Sequence, residues 1–203
     1  MKFNKPVSIL LTALLTAALL FTGCGTKTND TDLGDAGSEP SEITVPEGRP
    51  LPFDPDDEEI SDEEYTCTIS ISCATILSDT DRLDPEKLEL LPEDGYILAP
   101  TEVKFYGGES VFNILRRTCK ENKIHLEFTN TPIYGSAYIE GIGNIYEFDC
   151  GELSGWMYRV NDWFPNYGCS RYRLQDKDVV EFVYTCDLGK DVGGDYLSNR
   201  DTE

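Results

Sequence analysis

Histidine, positive charge and long apolar runs are all scarce in this chain of 203 residues. His125 is the single histidine, and no two cysteines stand in a CxxC pair, so the ligand set of a structural zinc site is missing. A cysteine nucleophile would need that one histidine beside it as base. No glycine-rich phosphate loop and no strand-to-helix nucleophile elbow occurs. With catalytic constellations lacking, the expectation is a protein that is not an enzyme. Lysine and arginine total 17 against 38 acids, for a net charge of −21. Such a balance repels a phosphate backbone and anionic lipid headgroups, which sets nucleic acid aside as a partner. The longest charge-free apolar run, Val7 to Phe21, is about 15 residues, short of the ~20 that cross a bilayer as a helix.

That run has a different use. Lys2 and Lys5 precede it, and Thr22-Gly23-Cys24 follow it. A short cationic start, an apolar stretch and small residues before a cysteine read as a secretory signal ending in a lipobox, with Phe21 where leucine is usual. Residues 1–23 are therefore expected to be removed as a signal peptide, with Cys24 carrying the lipid. Palmitate and related acyl chains would hold the protein to the outer face of the bacterial cell membrane at ~0.8 kcal/mol per buried methylene. Loss of Lys2 and Lys5 with no acid takes the charge from −21 to −23. Residues 24–62 are rich in Pro, Ser, Gly and acids, with Phe53 the one aromatic, and read as an acidic disordered tether. A flexible chain of that length spans ~35 Å r.m.s.. The acidic run at 56–59 lacks the spacing and glycine of a calcium loop and reads as solvated charge.

Residues 63–203 read as one domain. Six cysteines fall in it: Cys67, Cys73, Cys119, Cys150, Cys169 and Cys186. An even count in an exported domain makes them disulfide candidates, free thiols being the alternative. Tyr65 to Leu77 alternates with a period of two and puts Cys67 and Cys73 on one buried face, ~20 Å apart along a strand and so unable to pair with each other. Ser110 caps a predicted helix over 111–122 whose inner face is Val111, Phe112, Leu115, Thr118 and Cys119. Cys119 is accordingly expected to pair with Cys67 or Cys73. Further strands are expected at 101–106, 125–128, 137–142, 145–148, 155–161 and 179–185, with turns at Asn161-Asp162 and Gln175–Asp178. One helix on a mixed sheet of five or six strands makes an α+β, ubiquitin-like or β-grasp-like fold.

Residues 155–193 carry a more specific pattern. Gly155-Trp156-Met157-Tyr158, then Val160-Asn161, Ser170-x-Tyr172-x-Leu174, an acid-rich turn and an aromatic last strand follow in order. Upstream stands Gly108-Glu109-Ser110-Val111-Phe112. Together these resemble the transcobalamin-like C-terminal domain, many of whose bacterial members are domains of unknown function. The resemblance covers about residues 65–193. Asp162 and Lys177 stand where that family commonly has glycine. Aspartate tolerates turn backbone, whereas lysine is costly if the 175–178 turn needs a positive φ. In that family a β domain of this kind closes over cobalamin together with a large helical barrel. The resemblance thus implies half of a corrinoid site, because this chain has no room for the barrel.

Tyr134, Tyr138, Trp156, Tyr158, Asn161, Trp163, Phe164 and Tyr167 are the ligand-binding candidates: aromatic faces for a flat ligand and an amide for its rim. Trp156 reads chiefly as core. Trp163, Phe164 and Tyr167 lie around Pro165 in a loop and are expected to be exposed, so that removing the first two would weaken binding and barely touch stability. His125 reads as an ordinary residue rather than a cobalt ligand, and Asp187, Asp191 and Asp195 as tail solvation rather than a calcium site. The expected function is a surface-anchored ligand-binding lipoprotein with cobalamin or another corrinoid as the candidate ligand. The alternative is an interaction module that meets a surface protein or glycan through the aromatic loop.

Overall fold

The computed structural model describes residues 43, 45–57, 59–131 and 135–194. The signal region, Cys24, Tyr134 and Asp195 lie outside the described residues. The chain divides into two units, Met1–Pro40 and Ser41–Glu203, and all that follows concerns the second. Among the described residues no helix is long and apolar enough to cross a membrane.

The fold is α+β, with one main helix and mixed sheets. Strand β1 (Glu64–Ser72) forms where Cys67, Ile69 and Ile71 alternate with polar residues, and all three are buried. It pairs antiparallel with β2 (Tyr96–Tyr106). The strand predicted at 101–106 begins earlier, at Tyr96, and so contains Pro100. That is tolerated because β2 is an edge strand and because Thr101 and Leu98 stand opposite Ile69 and Ile71, a bulge that frees one residue.

Helix α1 (Val111–Asn122) occupies the predicted span. Ser110 Oγ accepts from Asn113 N at 3.2 Å, and Asn113 Oδ1 accepts from Ser110 N at 2.8 Å, closing a reciprocal N-terminal cap. Lys123, at φ 57°, ends it in the left-handed region. Val111, Phe112, Ile114, Leu115, Thr118 and Cys119 are its buried face.

Strands β3 (Leu126–Thr131), β4 (Ser136–Ile142) and β5 (Ile145–Tyr146) run as an antiparallel meander. Strand β6 (Gly155–Val160) pairs antiparallel with β7 (Val179–Thr185), and β7 pairs in parallel with β1. The single sheet of five or six strands is here two sheets, one ordered β2-β1-β7-β6 and the other β3-β4-β5. The central parallel pairing of β1 with β7, the first and last strands among the described residues, is the β-grasp arrangement. The outer strands of the larger sheet are β2 and β6, and the short meander pairs only with itself. It still points Ala137, Ile139 and Ile142 into the core that α1 caps.

Two tight turns set the end of the main sheet. Asn161 and Asp162, at φ 51° and 62°, join β6 to a bridge in which Val160 and Trp163 exchange bonds of 2.8 and 3.1 Å. Asp162 thus adopts the backbone that glycine favours. So does Lys177, at φ 70° in the 175–178 turn, which identifies the turn as one where lysine is the strained choice.

Part of the stretch read as tether lies against the domain. Tyr167 Oη donates to Pro50 O at 2.6 Å, Phe53 N donates to Arg171 O at 3.1 Å, and Arg49 donates to Asn161 O at 3.1 Å. The Arg49 guanidinium sits 5.5 Å above Trp163, and Arg173 sits 5.0 Å above Phe53.

Candidate functional site

The aromatic residues singled out in the sequence come together only in part, and they do not form an open platform. Tyr167 and Phe164 are 7% and 8% exposed, a correction to the expectation of exposed loop rings. Tyr167 stacks on Tyr172 at 6.3 Å and meets the Trp163 ring edge-on at 6.0 Å. Tyr158 Oη donates to Tyr167 O at 2.7 Å, which draws the loop inward, and residues 49–53 close over it. Rings left in water would expose a large apolar patch, and folding back on Tyr172 buries it instead. Phe164 lies under the Arg159 guanidinium at 5.9 Å. Half-buried Trp163 is covered on one side by Arg49.

The other candidates have structural partners. Trp156 Nε1 donates to Ile145 O at 2.9 Å and packs edge-on against Tyr184 at 5.3 Å, a core role. The Asn161 amide is spent on the turn: Nδ2 donates to Asp178 at 2.7 Å, and Oδ1 accepts from Val179 N at 2.9 Å. Tyr138 is 48% exposed on the meander, with its hydroxyl on Glu147. His125 is exposed beside Tyr146 at a ring distance of 6.0 Å. Asp191 accepts from Thr185 Oγ1, and from Cys186 N at 2.7 Å, so it caps the chain end of β7. Among the described residues no cluster of three or more His, Cys, Asp or Glu could hold a metal ion.

The concave site lies elsewhere, between α1 and β3. It is an open groove of about 550 Å³ lined by Ile124, Leu126 and Phe128 from the β3 side and by Asn113, Arg116, Arg117, Cys119 and Lys120 from the helix, with Glu109 at one end. Arg117 is part of the scaffold. It clamps buried Glu109 at 2.5 and 3.2 Å and reaches Lys104 O at 2.7 Å, while Glu109 also accepts from Tyr106 N at 2.8 Å. The hydrogen bond to Glu109 holds the Arg117 guanidinium above its usual pKa against the opposing effect of burial. Arg116 and Lys120, one turn apart, differ. Among the described residues no carboxylate pairs with either of them. Arg116 lies 5.5 Å from the Phe112 ring and 5.7 Å from the Phe128 ring, which themselves meet edge-on at 4.8 Å. The groove therefore offers an aromatic and aliphatic floor under two available cations, in a chain of net charge −21. The inner face of α1 was legible from its period. The outer pair Arg116 and Lys120 had a signal too, as two cations at i, i+4 in an acid-dominated chain, but nothing local linked them to Phe128.

All six domain cysteines are buried thiols. Cys67, Cys119 and Cys169 belong to one core cluster and Cys73, Cys150 and Cys186 to another. The expected bond from Cys119 to Cys67 or Cys73 is not formed, and Cys73 belongs to a cluster without Cys119, because β1 ends at Ser72 and the chain turns away at Ala74–Ser78. Burial pushes the thiols of Cys67, Cys119 and Cys169 up to about 12.

No curated protein matches this chain. Haptocorrin, in a crystal structure with Cbi, aligns with a TM-score of 0.46 at 12% identity, over 63% of this chain and 26% of haptocorrin. The chain thus spans about a quarter of that protein's length. A protein from Ruminococcus gnavus described as metal-binding aligns with a TM-score of 0.36 at 13% identity, over 60% of this chain and 96% of that one. Residues 108–185, from three residues before α1 to the end of β7, match the sequence family described as a domain of unknown function, DUF4430.

Proposed function

We propose that this chain is a binding module held outside the bacterial cell by lipid on Cys24, and that it takes its ligand in the α1–β3 groove. The observation that carries this reading is the juxtaposition of Arg116 and Lys120 with the Phe128 floor. An apolar floor favours a ligand with an apolar body, and two available cations favour one carrying a carboxylate or phosphate. A corrinoid joins a broad apolar face to amides and, in cobalamin, a phosphate. It is the candidate that the motif resemblance over residues 155–193 contributes. The groove, rather than the closed aromatic loop, is where it would be met. Binding without transformation fits the buried thiols of Cys67, Cys119 and Cys169, which burial pushes up to about 12 and so makes poor nucleophiles.

Calorimetric titration of the purified chain with cobalamin, and in parallel with dodecanoate as an anionic amphiphile, tests this reading. Binding of either probe in the micromolar range is expected. The change Arg116→Gln with Lys120→Gln should weaken it tenfold or more, about 1.4 kcal/mol. Unaltered binding in that double variant, or no heat with either probe, refutes the groove assignment. The anchor is tested separately by palmitate labelling in the host, which Cys24→Ala should abolish.

A further inference from the structure

Cys150 and Cys186 lie close together where β6 begins and β7 ends. The register of these strands pairs Gly155 with Thr185. One step further, Ser154 therefore lies opposite Cys186, and the chains stay side by side beyond it, with Leu188 N donating to Leu153 O at 2.9 Å. Ser154 also belongs to the compact turn 148–154. Its Oγ accepts from Cys150 N at 3.0 Å, and its backbone oxygen accepts from Phe148 N at 3.0 Å. Cys150 and Cys186 thus flank the same serine from two segments. Both are buried in the cluster formed with Ile76, Leu83, Ile145 and Tyr184.

The two thiols also influence each other: after burial, the neighbouring Cys186 is the largest cause that pushes the Cys150 thiol up. The other four have different surroundings. Cys73 shares the cluster but caps the 74–78 turn, with its amide bonded to Gly95 O at 2.8 Å. Cys67 is influenced by Asp178, Arg117 and Glu109, and Cys169 by backbone amides of its own turn.

We infer that Cys150 and Cys186 form the one disulfide of the folded domain, and that Cys67, Cys73, Cys119 and Cys169 remain thiols. The bond would tie the 148–154 turn to the end of β7 and close a loop containing β6, the Trp163 loop and β7. It forms by exchange with a low-molecular-weight or protein disulfide outside the cytoplasm. One cysteine, as thiolate, attacks the oxidant's S–S bond, giving a mixed disulfide and releasing one oxidant sulfur as thiolate. The second cysteine thiolate then displaces the other oxidant sulfur. Two protein S–H bonds become one S–S bond, and the oxidant leaves with two electrons and two protons as two thiols. Burial holds the Cys150 thiol up at about 12, so exchange is slow once the cluster has closed. The bond is made while the chain folds, and the closed cluster then shields it from reductant. This inference is independent of the ligand reading.

The test is peptide mapping of the full chain, refolded in a glutathione redox buffer and alkylated in denaturant. Trypsin cuts after Lys123, Arg159, Lys177 and Lys190, which puts Cys150, Cys169 and Cys186 on three separate peptides. The expected result is the Cys150 peptide joined to the Cys186 peptide, with Cys67, Cys73, Cys119 and Cys169 alkylated. Alkylation of both Cys150 and Cys186, or a bond from either to any other cysteine, overturns the inference. Dithiothreitol should also lower the Tm of the oxidised protein by roughly 5–15 °C. The double change Cys150→Ser with Cys186→Ser should abolish that response, and a response that persists in the double variant overturns the inference as well.

Discussion

Asp178 sets two opposing effects against each other at one buried carboxylate, and replacing it with asparagine decides which is larger. The side chain is buried in the turn that leads into β7. Oδ1 accepts from Asn161 Nδ2 at 2.7 Å and Oδ2 accepts from Gln175 N at 2.9 Å. Burial pushes its pKa above the usual 3.8, and the bonds from Gln175 and Asn161 pull the other way. Asparagine removes the buried charge, which is a gain. It also replaces one accepting oxygen with an NH2 group, so that a donor faces a donor and one partner loses its bond. A buried donor left unpaired costs about 1–3 kcal/mol. The net expectation for Asp178→Asn at pH 7 is a loss of about 1–2 kcal/mol, or roughly 2–8 °C in Tm for a domain of this size.

The pH dependence has a definite sign. The folded-state pKa of Asp178 lies above the unfolded one, so the folded protein disfavours the charged form. That penalty is in force above the folded pKa and is relieved as the pH falls through it toward 3.8 and below. Wild type therefore gains on the variant between pH 7 and pH 4, and the gap in urea midpoints widens. A variant as stable as wild type at pH 7, or a gap that narrows on acidification, would show that the hydrogen-bond argument is wrong.

Two further substitutions test the fold. Phe164→Ala should cost about 3 kcal/mol or more in chemical denaturation, because the ring is 8% exposed; a loss under about 1 kcal/mol would restore the expectation of a solvent-facing loop. Lys177→Gly should raise stability by up to ~1 kcal/mol, since φ of 70° suits glycine, and a lower Tm would show that the Lys177 Nζ bond to Thr66 Oγ1 at 2.5 Å outweighs backbone strain.

The elements that sequence alone fixed are those whose causes lie within a few residues. Helix α1 was readable from its serine cap and its apolar period, both local. Strand β7 was readable from alternating valine and aromatics behind a polar turn, and the Asn161-Asp162 turn from side chains that tolerate positive φ. The burial of Cys67 and Cys73 followed from a period of two. Even the class, one helix with mixed strands, followed from the order of these elements.

Tertiary structure decided what depends on residues far apart in the chain. Strand polarity carries no local mark, so the parallel pairing of β1 with β7, and hence the split into two sheets, came only from three-dimensional packing. The Trp163 loop has the composition of an exposed loop, and it closes because Tyr158, Tyr172 and residues 49–53 reach it from elsewhere. Cys119 faces inward as its helix position required, but Cys73 fell into a different core cluster because β1 ends at Ser72. The groove arises in the same way. Arg116 and Lys120 are ordinary outer-face residues of a helix until β3 brings Phe128 beneath them, because a local pattern specifies a face and only packing specifies what that face meets.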